Sequence, residues 1–157
     1  MNEGILHNIT VNEQLIQMKV TVSTKYEALD VLSNCLLDHH KVSSSFVQAI
    51  KRREDEFPTG LMLENIGVAI PHTDVEHVVE QSMAIGILEE PVDFTIMGTE
   101  NDLVKVKVIF MLALKEPHTQ LEFLQTLVQI FQDDSKILKL LECQSPSEII
   151  TVLKGYF

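Results

Sequence analysis

Basic residues, cysteines and long apolar runs are all scarce in this chain of 157 residues, and each shortage excludes something. Twelve Lys and Arg stand against 23 Asp and Glu, for a formal net charge of −11. Phosphate backbones need a basic footprint, so nucleic acid is not an expected partner. The acidic surface suits solubility or a basic protein partner instead. Cys35 and Cys143 match no metal or redox spacing, and both are expected to be small buried hydrophobes in helices. No apolar run approaches the roughly 20 residues that cross a bilayer. The opening MNEGILHNITVNEQ has neither the basic flank nor the apolar centre of a secretion signal. Direct membrane insertion is therefore not expected, and the cytoplasm is the expected compartment.

Nucleotide motifs are missing too. The six glycines are scattered and form neither G-x-x-x-x-G-K-S/T nor G-x-G-x-x-G. The G-x-S-x-G elbow of serine hydrolases is also absent. If the chain handles phosphate, ATP is not the expected donor.

What is present reads as one folded domain. Hydrophobic residues make up 45% and charged residues 22%, the balance of a globular chain rather than a disordered one. Met18-Lys19-Val20-Thr21-Val22 alternates apolar and polar side chains within an opening of 22 residues that reads as extended. Thr24 and Glu27 make a capping box, and Ala28, Leu29, Leu32, Leu36 and Leu37 come after it at helical spacing to about His40. Ser43 to Ser45 offer an N-cap to a second helix, which Pro58 stops after the charged run at residues 51–56.

Strands are expected over residues 67–70, 83–88 and 104–114, the last buried on both faces at Val108-Ile109-Phe110-Met111-Leu112. Thr119 and Glu122 repeat the capping-box spacing ahead of an apolar stripe to Phe131. Helices over residues 135–142 and from Ser145-Pro146-Ser147-Glu148 to a stop at Gly155 complete the chain. The expected fold is α/β: a mixed β-sheet of about four to six strands flanked by helices.

Chemistry-bearing side chains concentrate near the middle. Val68-Ala69-Ile70-Pro71-His72 is a β-branched run ending at a proline with a histidine behind it. Pro71 fixes its own φ and biases Ile70 toward an extended backbone, so His72 leaves the strand end in a constrained direction. Such an imidazole is a candidate nucleophile or proton carrier. His118 sits at a second strand–helix boundary, as a site residue or as an exposed loop residue ahead of the helix cap.

Other candidates read more simply. His39 and His40 close a helix, where cations suit the dipole. His72, Asp74 and His77 form H-x-D-x-x-H, but two histidines five apart across a loop miss the i, i+4 spacing of helical zinc pairs, so no metal is expected. Arg53 offers a fork for phosphoryl oxygens, yet at a helix end it reads first as a surface partner of Glu54 or Glu56.

The block REDEFPTGLMLENIGVAIPH, residues 53–72, resembles the signature of a known family. Arg53-Glu54, Thr59-Gly60 and Ala-Ile-Pro-His at 69–72 look like enzyme IIA domains of the fructose/mannitol class, from the bacterial phosphoenolpyruvate-dependent sugar phosphotransferase system. RE-x-EFPTG running into a Leu-Glu pair before AIPH is most similar to the galactitol-type branch. The resemblance implies one type 2 IIA domain over residues 1–157. It implies that His72 takes a phosphoryl group from phospho-HPr and passes it to a cysteine of enzyme IIB, with no cofactor and no metal. His118 matches the family's second active-site histidine, which some galactitol-type members lack. Arg53 matches the arginine of the RE pair, and Thr59 lies in the turn behind it. Contact with the membrane enzyme IIC, which selects the sugar, would run through IIB. The same resemblance also admits a regulatory module whose phosphorylation controls binding to a transcription factor or transporter.

Overall fold

The run at residues 104–114 becomes the middle of the sheet. In the computed structural model, which describes residues 9–156, strand β5 spans Leu103–Ala113 and is flanked on both sides. The other strands are β1 (Ile16–Val20), β2 (Gly60–Met62), β3 (Gly67–Ala69) and β4 (Ser82–Thr95), giving one mixed sheet in the order β1-β4-β5-β3-β2. β4 runs antiparallel to β5, while β3 is parallel to it. The outer strands β1 and β2 pair parallel with β4 and antiparallel with β3.

Successive side chains of a strand face opposite ways, so β5 supplies two cores. Ile109, Met111 and Ala113 face a cluster with Leu29, Leu32, Leu36, Phe46 and Ile50. These come from helices α1 (Lys25–Asp38) and α2 (Ser45–Glu56). Val108, Phe110 and Leu112 face the other way, toward Phe123, Leu127, Phe131, Ile137, Leu140, Ile149 and Leu153. Those belong to α3 (Pro117–Ile130), α4 (Ser135–Glu142) and α5 (Pro146–Tyr156), with Phe131 just past the end of α3. The expected five-residue centre is closed to solvent, with Leu112 at 1% exposure and its four predecessors at zero.

Local signals explain the helix ends. The Thr24–Glu27 capping box forms in both directions. α1 closes with His39 as its C-cap and His40 in the left-handed region at φ 61, while Lys41 N–H donates to the Leu36 carbonyl and His40 N–H to that of Leu37. That is the Schellman pattern, here with histidine in the usual glycine place.

Several expectations are corrected. β1 begins two residues early and ends at Val20, because its pairing shifts between Gln17 and Val20, with Lys19 at φ 53. The part of the expected extended opening that falls on residues 1–8 lies outside the described residues. β4 runs on to Thr95 through Pro91; the pairing with β5 shifts between Ile87 and Val92, so the proline without an N–H falls in the irregularity. α3 starts at Pro117 with Glu116 as N-cap rather than at Thr119, since proline at the first helical position forfeits only an N–H that no carbonyl would have met. α5 passes through Gly155 instead of stopping there. Cys35 is buried as expected, but Cys143 is the half-exposed C-cap of α4.

Candidate active site

The site begins where β3 ends. β3 and β5 are parallel, and the pairing continues past β3 through a Leu112 N–H that donates to the Pro71 carbonyl at 2.9 Å. His72 leaves the carboxyl end of β3, and His118 comes a short turn after the carboxyl end of β5. This is the end of an α/β sheet at which ligands collect.

Pro71 turns the chain so that the His72 ring folds back on its own strand. Its Nδ1 lies 2.8 Å from the Ile70 carbonyl oxygen. A carbonyl only accepts, so Nδ1 carries the proton and donates, and Nε2 holds the free lone pair of the neutral ring. Burial lowers the pKa of His72 below its ordinary value; the Ile70 bond opposes this, and the Arg53 charge adds to it.

The Ile70 peptide is held in turn. Its N–H donates to Thr59 Oγ1 at 3.2 Å and is shared with the Thr59 main-chain carbonyl at 3.4 Å. Thr59 donates its backbone N–H to Glu54 Oε2 and its hydroxyl to Glu54 Oε1, each at 2.8 Å. Glu54 is 1% exposed. Burial pushes its carboxyl up to about 7, against the pull of the two Thr59 bonds and of the Lys25 charge. Glu54 continues the inward stripe of Phe46 and Ile50 along α2, each four residues on from the last. Gly60 stands next to Thr59 because a side chain there would meet the Thr95 carbonyl at 2.6 Å.

His72 lines an open apolar hollow of about 470 Å³ with Phe57, Pro58, Thr59, Ile70, Met97, Leu124, Gln125 and Val128. Phe57 and Met97 are 55% and 41% exposed on it. The Arg53 guanidinium stacks on the Phe57 ring, 4.2 Å from its centroid. Its Nε is buried without a hydrogen-bond partner among the described residues. The expected surface pair of Arg53 with Glu54 or Glu56 does not form among the described residues, because Glu54 turns inward to Thr59. Arg53 also lines a second, polar hollow of about 300 Å³ with Arg52, Glu56, Thr73, Asp74 and His77.

The structure thus brings together His72, Thr59 and Arg53. His118 lies in the first turn of α3, its side chain 84% exposed and its Nε2 3.0 Å from Glu122 Oε1. The α3 residues that line the hollow begin at Leu124, about two turns further along. His77 is engaged by the Ser45 hydroxyl at 2.7 Å, away from the H-x-D-x-x-H arrangement. Among the described residues no three His, Cys, Asp or Glu side chains converge as a metal would require. No helix among them is long and apolar enough to cross a membrane.

A half-buried, Nδ1-protonated histidine near an arginine thus lies at the mouth of an apolar hollow. Comparison with known sequences identifies the family. Residues 10–156 match the family model "Phosphoenolpyruvate-dependent sugar phosphotransferase system, EIIA 2", and the chain belongs to that family. The galactitol-specific EIIA component of Escherichia coli strain K12 is 31% identical over 144 residues, which are 90% of this chain and 91% of that protein. Among solved structures, the fold matches mannitol enzyme IIA in its complex with phosphorylated mannitol enzyme IIB from Escherichia coli. The TM-score is 0.75 and the identity 24%, over 94% of this chain and 99% of that one. Nitrogen regulatory protein IIA-Ntr from Neisseria meningitidis matches with a TM-score of 0.72 and 26% identity, over 89% and 93%.

Proposed function

We propose that this IIA-family protein, acting as one domain over residues 1–157, is a phosphocarrier that takes a phosphoryl group onto His72 from phospho-HPr and hands it to a cysteine of an enzyme IIB, in uptake of a galactitol-like sugar alcohol. The observation that carries this reading is the Nδ1–H bond of His72 to the Ile70 carbonyl, which leaves Nε2 as the nucleophile.

In the first step the Nε2 lone pair attacks phosphorus, the P–N bond to the donor histidine breaks, and its electron pair returns to the donor ring. Nδ1–H stays on the Ile70 carbonyl and shares the positive charge that develops on the ring. In the second step the IIB cysteine thiolate attacks phosphorus, and the P–Nε2 bond breaks with its pair returning to His72. Positioning and charge stabilisation supply most of the catalysis of such a transfer. The Arg53 Nε, unpartnered among the described residues, offers a charge-assisted donor to phosphoryl oxygens. His118, exposed and held by Glu122, is the weaker second donor to those oxygens, and its truncation slows transfer less than that of Arg53. The apolar hollow, with Phe57 and Met97 exposed on it, gives both partners a surface that small transient interfaces can use in turn.

Intact-mass measurement after incubation with phosphoenolpyruvate, enzyme I and HPr tests this. One acid-labile phosphate on the wild type and none on His72→Ala is the expected result; equal labelling of both ends the reading. The likeness to a nitrogen regulatory IIA supports a second reading, in which the phosphorylation state controls binding to a transcription factor or transporter. Transfer of the label onward to an IIB cysteine favours transport, and complexes that persist only in one phosphorylation state favour regulation.

A further inference from the structure

The phosphocarrier reading uses His72 and Arg53 and leaves the most deeply buried carboxylate of the site without a task. Glu54 is 1% exposed, and both of its oxygens are spent on Thr59. Thr59 Oγ1 accepts the Ile70 N–H as the shorter arm of a bond shared with the Thr59 main-chain carbonyl, and the other end of the Ile70 residue accepts Nδ1–H from His72. An unbroken series of hydrogen bonds and one short stretch of backbone therefore joins Glu54 to the reacting ring. We propose that Glu54, acting through Thr59, is a positioning residue for phosphoryl transfer: its ionised carboxylate fixes the Ile70 carbonyl that holds His72 in the Nδ1–H tautomer. This rests on the phosphocarrier reading for its kinetics, though the tautomer itself is independent of it.

Protonation state decides how well the series holds. The carboxylate accepts from the Thr59 N–H and from the Thr59 hydroxyl at once, which leaves the hydroxyl oxygen free to accept from Ile70. A neutral carboxyl keeps only one acceptor oxygen toward these donors; its own O–H must then donate to Thr59 Oγ1, and the Thr59 hydroxyl proton loses its place. The charged groups that face Glu54 are few. Lys25 from α1 favours the ionised form, Asp55 beside it on α2 disfavours it, and Tyr26 of α1 is engaged with Asp55. Because burial lifts this carboxyl to about 7, the switch between the two arrangements falls near neutral pH.

The wild type, Glu54→Gln, Thr59→Val and Thr59→Ser, each as the full chain, decide the matter. The tautomer of His72 is read from ring nitrogen shifts in long-range proton–nitrogen spectra, and the rate of labelling by phospho-HPr is measured from pH 5.5 to 8.5. Glutamine copies the neutral acid, so Glu54→Gln should lose part of the Nδ1–H population and label roughly tenfold to a hundredfold more slowly at pH 8, the scale of a misplaced reacting group. Its profile should also lack the wild-type rise near pH 7. Thr59→Val should fall as far, and Thr59→Ser, which keeps the hydroxyl, should return to the wild-type tautomer and rate. A wild-type tautomer in Glu54→Gln, or a loss in Thr59→Ser as large as in Thr59→Val, overturns the proposal. Should Glu54→Gln fail to fold by near-ultraviolet circular dichroism, the Val and Ser pair decides. If the wild type takes up no phosphoryl group, the phosphocarrier reading falls, and the tautomer comparison alone upholds or overturns the positioning role.

Discussion

His72 is neutral over more of the pH range than a free imidazole, since burial lowers its pKa and the Arg53 charge adds to that. Only the neutral ring has a lone pair on Nε2, so the acid limb of phosphoryl uptake tracks this value. Replacing Arg53 with glutamine removes a positive charge that repels the imidazolium. The His72 pKa should then rise, seen by titrating its ring proton shifts, and the acid limb of labelling should move to higher pH with it. An unmoved titration in Arg53→Gln would show that its charge does not reach the ring. His72 was legible in the sequence because Pro71 constrains the direction in which the histidine leaves the strand. Glu54 was not, although the spacing 46, 50, 54 already placed it on the buried stripe of α2. A carboxylate inside a charged run reads as solvated, and its partner Thr59 lies beyond the proline at 58. The place of His118 was less legible as well, because Pro117 starts α3 before the capping-box pattern at Thr119 can act.

Elements were legible in proportion to how much apolar periodicity they carry. β5 and the helical stripes are plain in the sequence, whereas β2 is three residues long and shows one buried, one intermediate and one exposed position. It exists because the turn at residues 63–66 folds it back on β3, with the Leu63 N–H donating to Ile66 and the Asn65 N–H donating to the buried Asp134 carboxylate. The Asn65–Asp134 contact, 69 residues apart, shows in no local pattern. Two glycines separate packing from conformation at this scale. A methyl at Gly60 would meet the Thr95 carbonyl at 2.6 Å and Val104 Cγ1 at 2.9 Å, so Gly60→Ala must push β2 off its neighbours. It should cost about 1–3 kcal/mol, the range of overpacked cores, read from urea midpoints. Gly155 lies in the last turn of α5 with nothing among the described residues within 4 Å of such a methyl. Gly155→Ala should therefore gain a few tenths of a kcal/mol up to about 1 kcal/mol from helix propensity. Equal responses at the two positions would contradict the placement of both.

For the molecule as a whole, the same buried groups that serve the site set how stability depends on pH. The sheet is covered on both faces, so the carboxyl ends of β3 and β5 are where polar groups meet the core, and Glu54 and His72 are both desolvated there. Their effects oppose one another. Glu54 has a folded pKa of about 7 against an ordinary value of 4.5, so between those values the folded protein keeps a proton that the unfolded chain has released. Its contribution is full below about pH 4.5, falls as the pH rises through the window, and is gone above about 7. His72 has a folded pKa below its ordinary 6.5, so its contribution is present above that value and is lost as the pH falls through the folded one. The Glu54 term amounts to about 2–3 kcal/mol between pH 5 and pH 8. Glutamine cannot titrate, so in Glu54→Gln this acid-favouring term disappears and the His72 term stands alone. Urea unfolding at pH 5 and pH 8 should show the stability difference between the two conditions shift by that amount toward higher pH in the variant. An unchanged difference would mean that Glu54 holds the same charge folded and unfolded, and that its burial is relieved by water or by a closer cation.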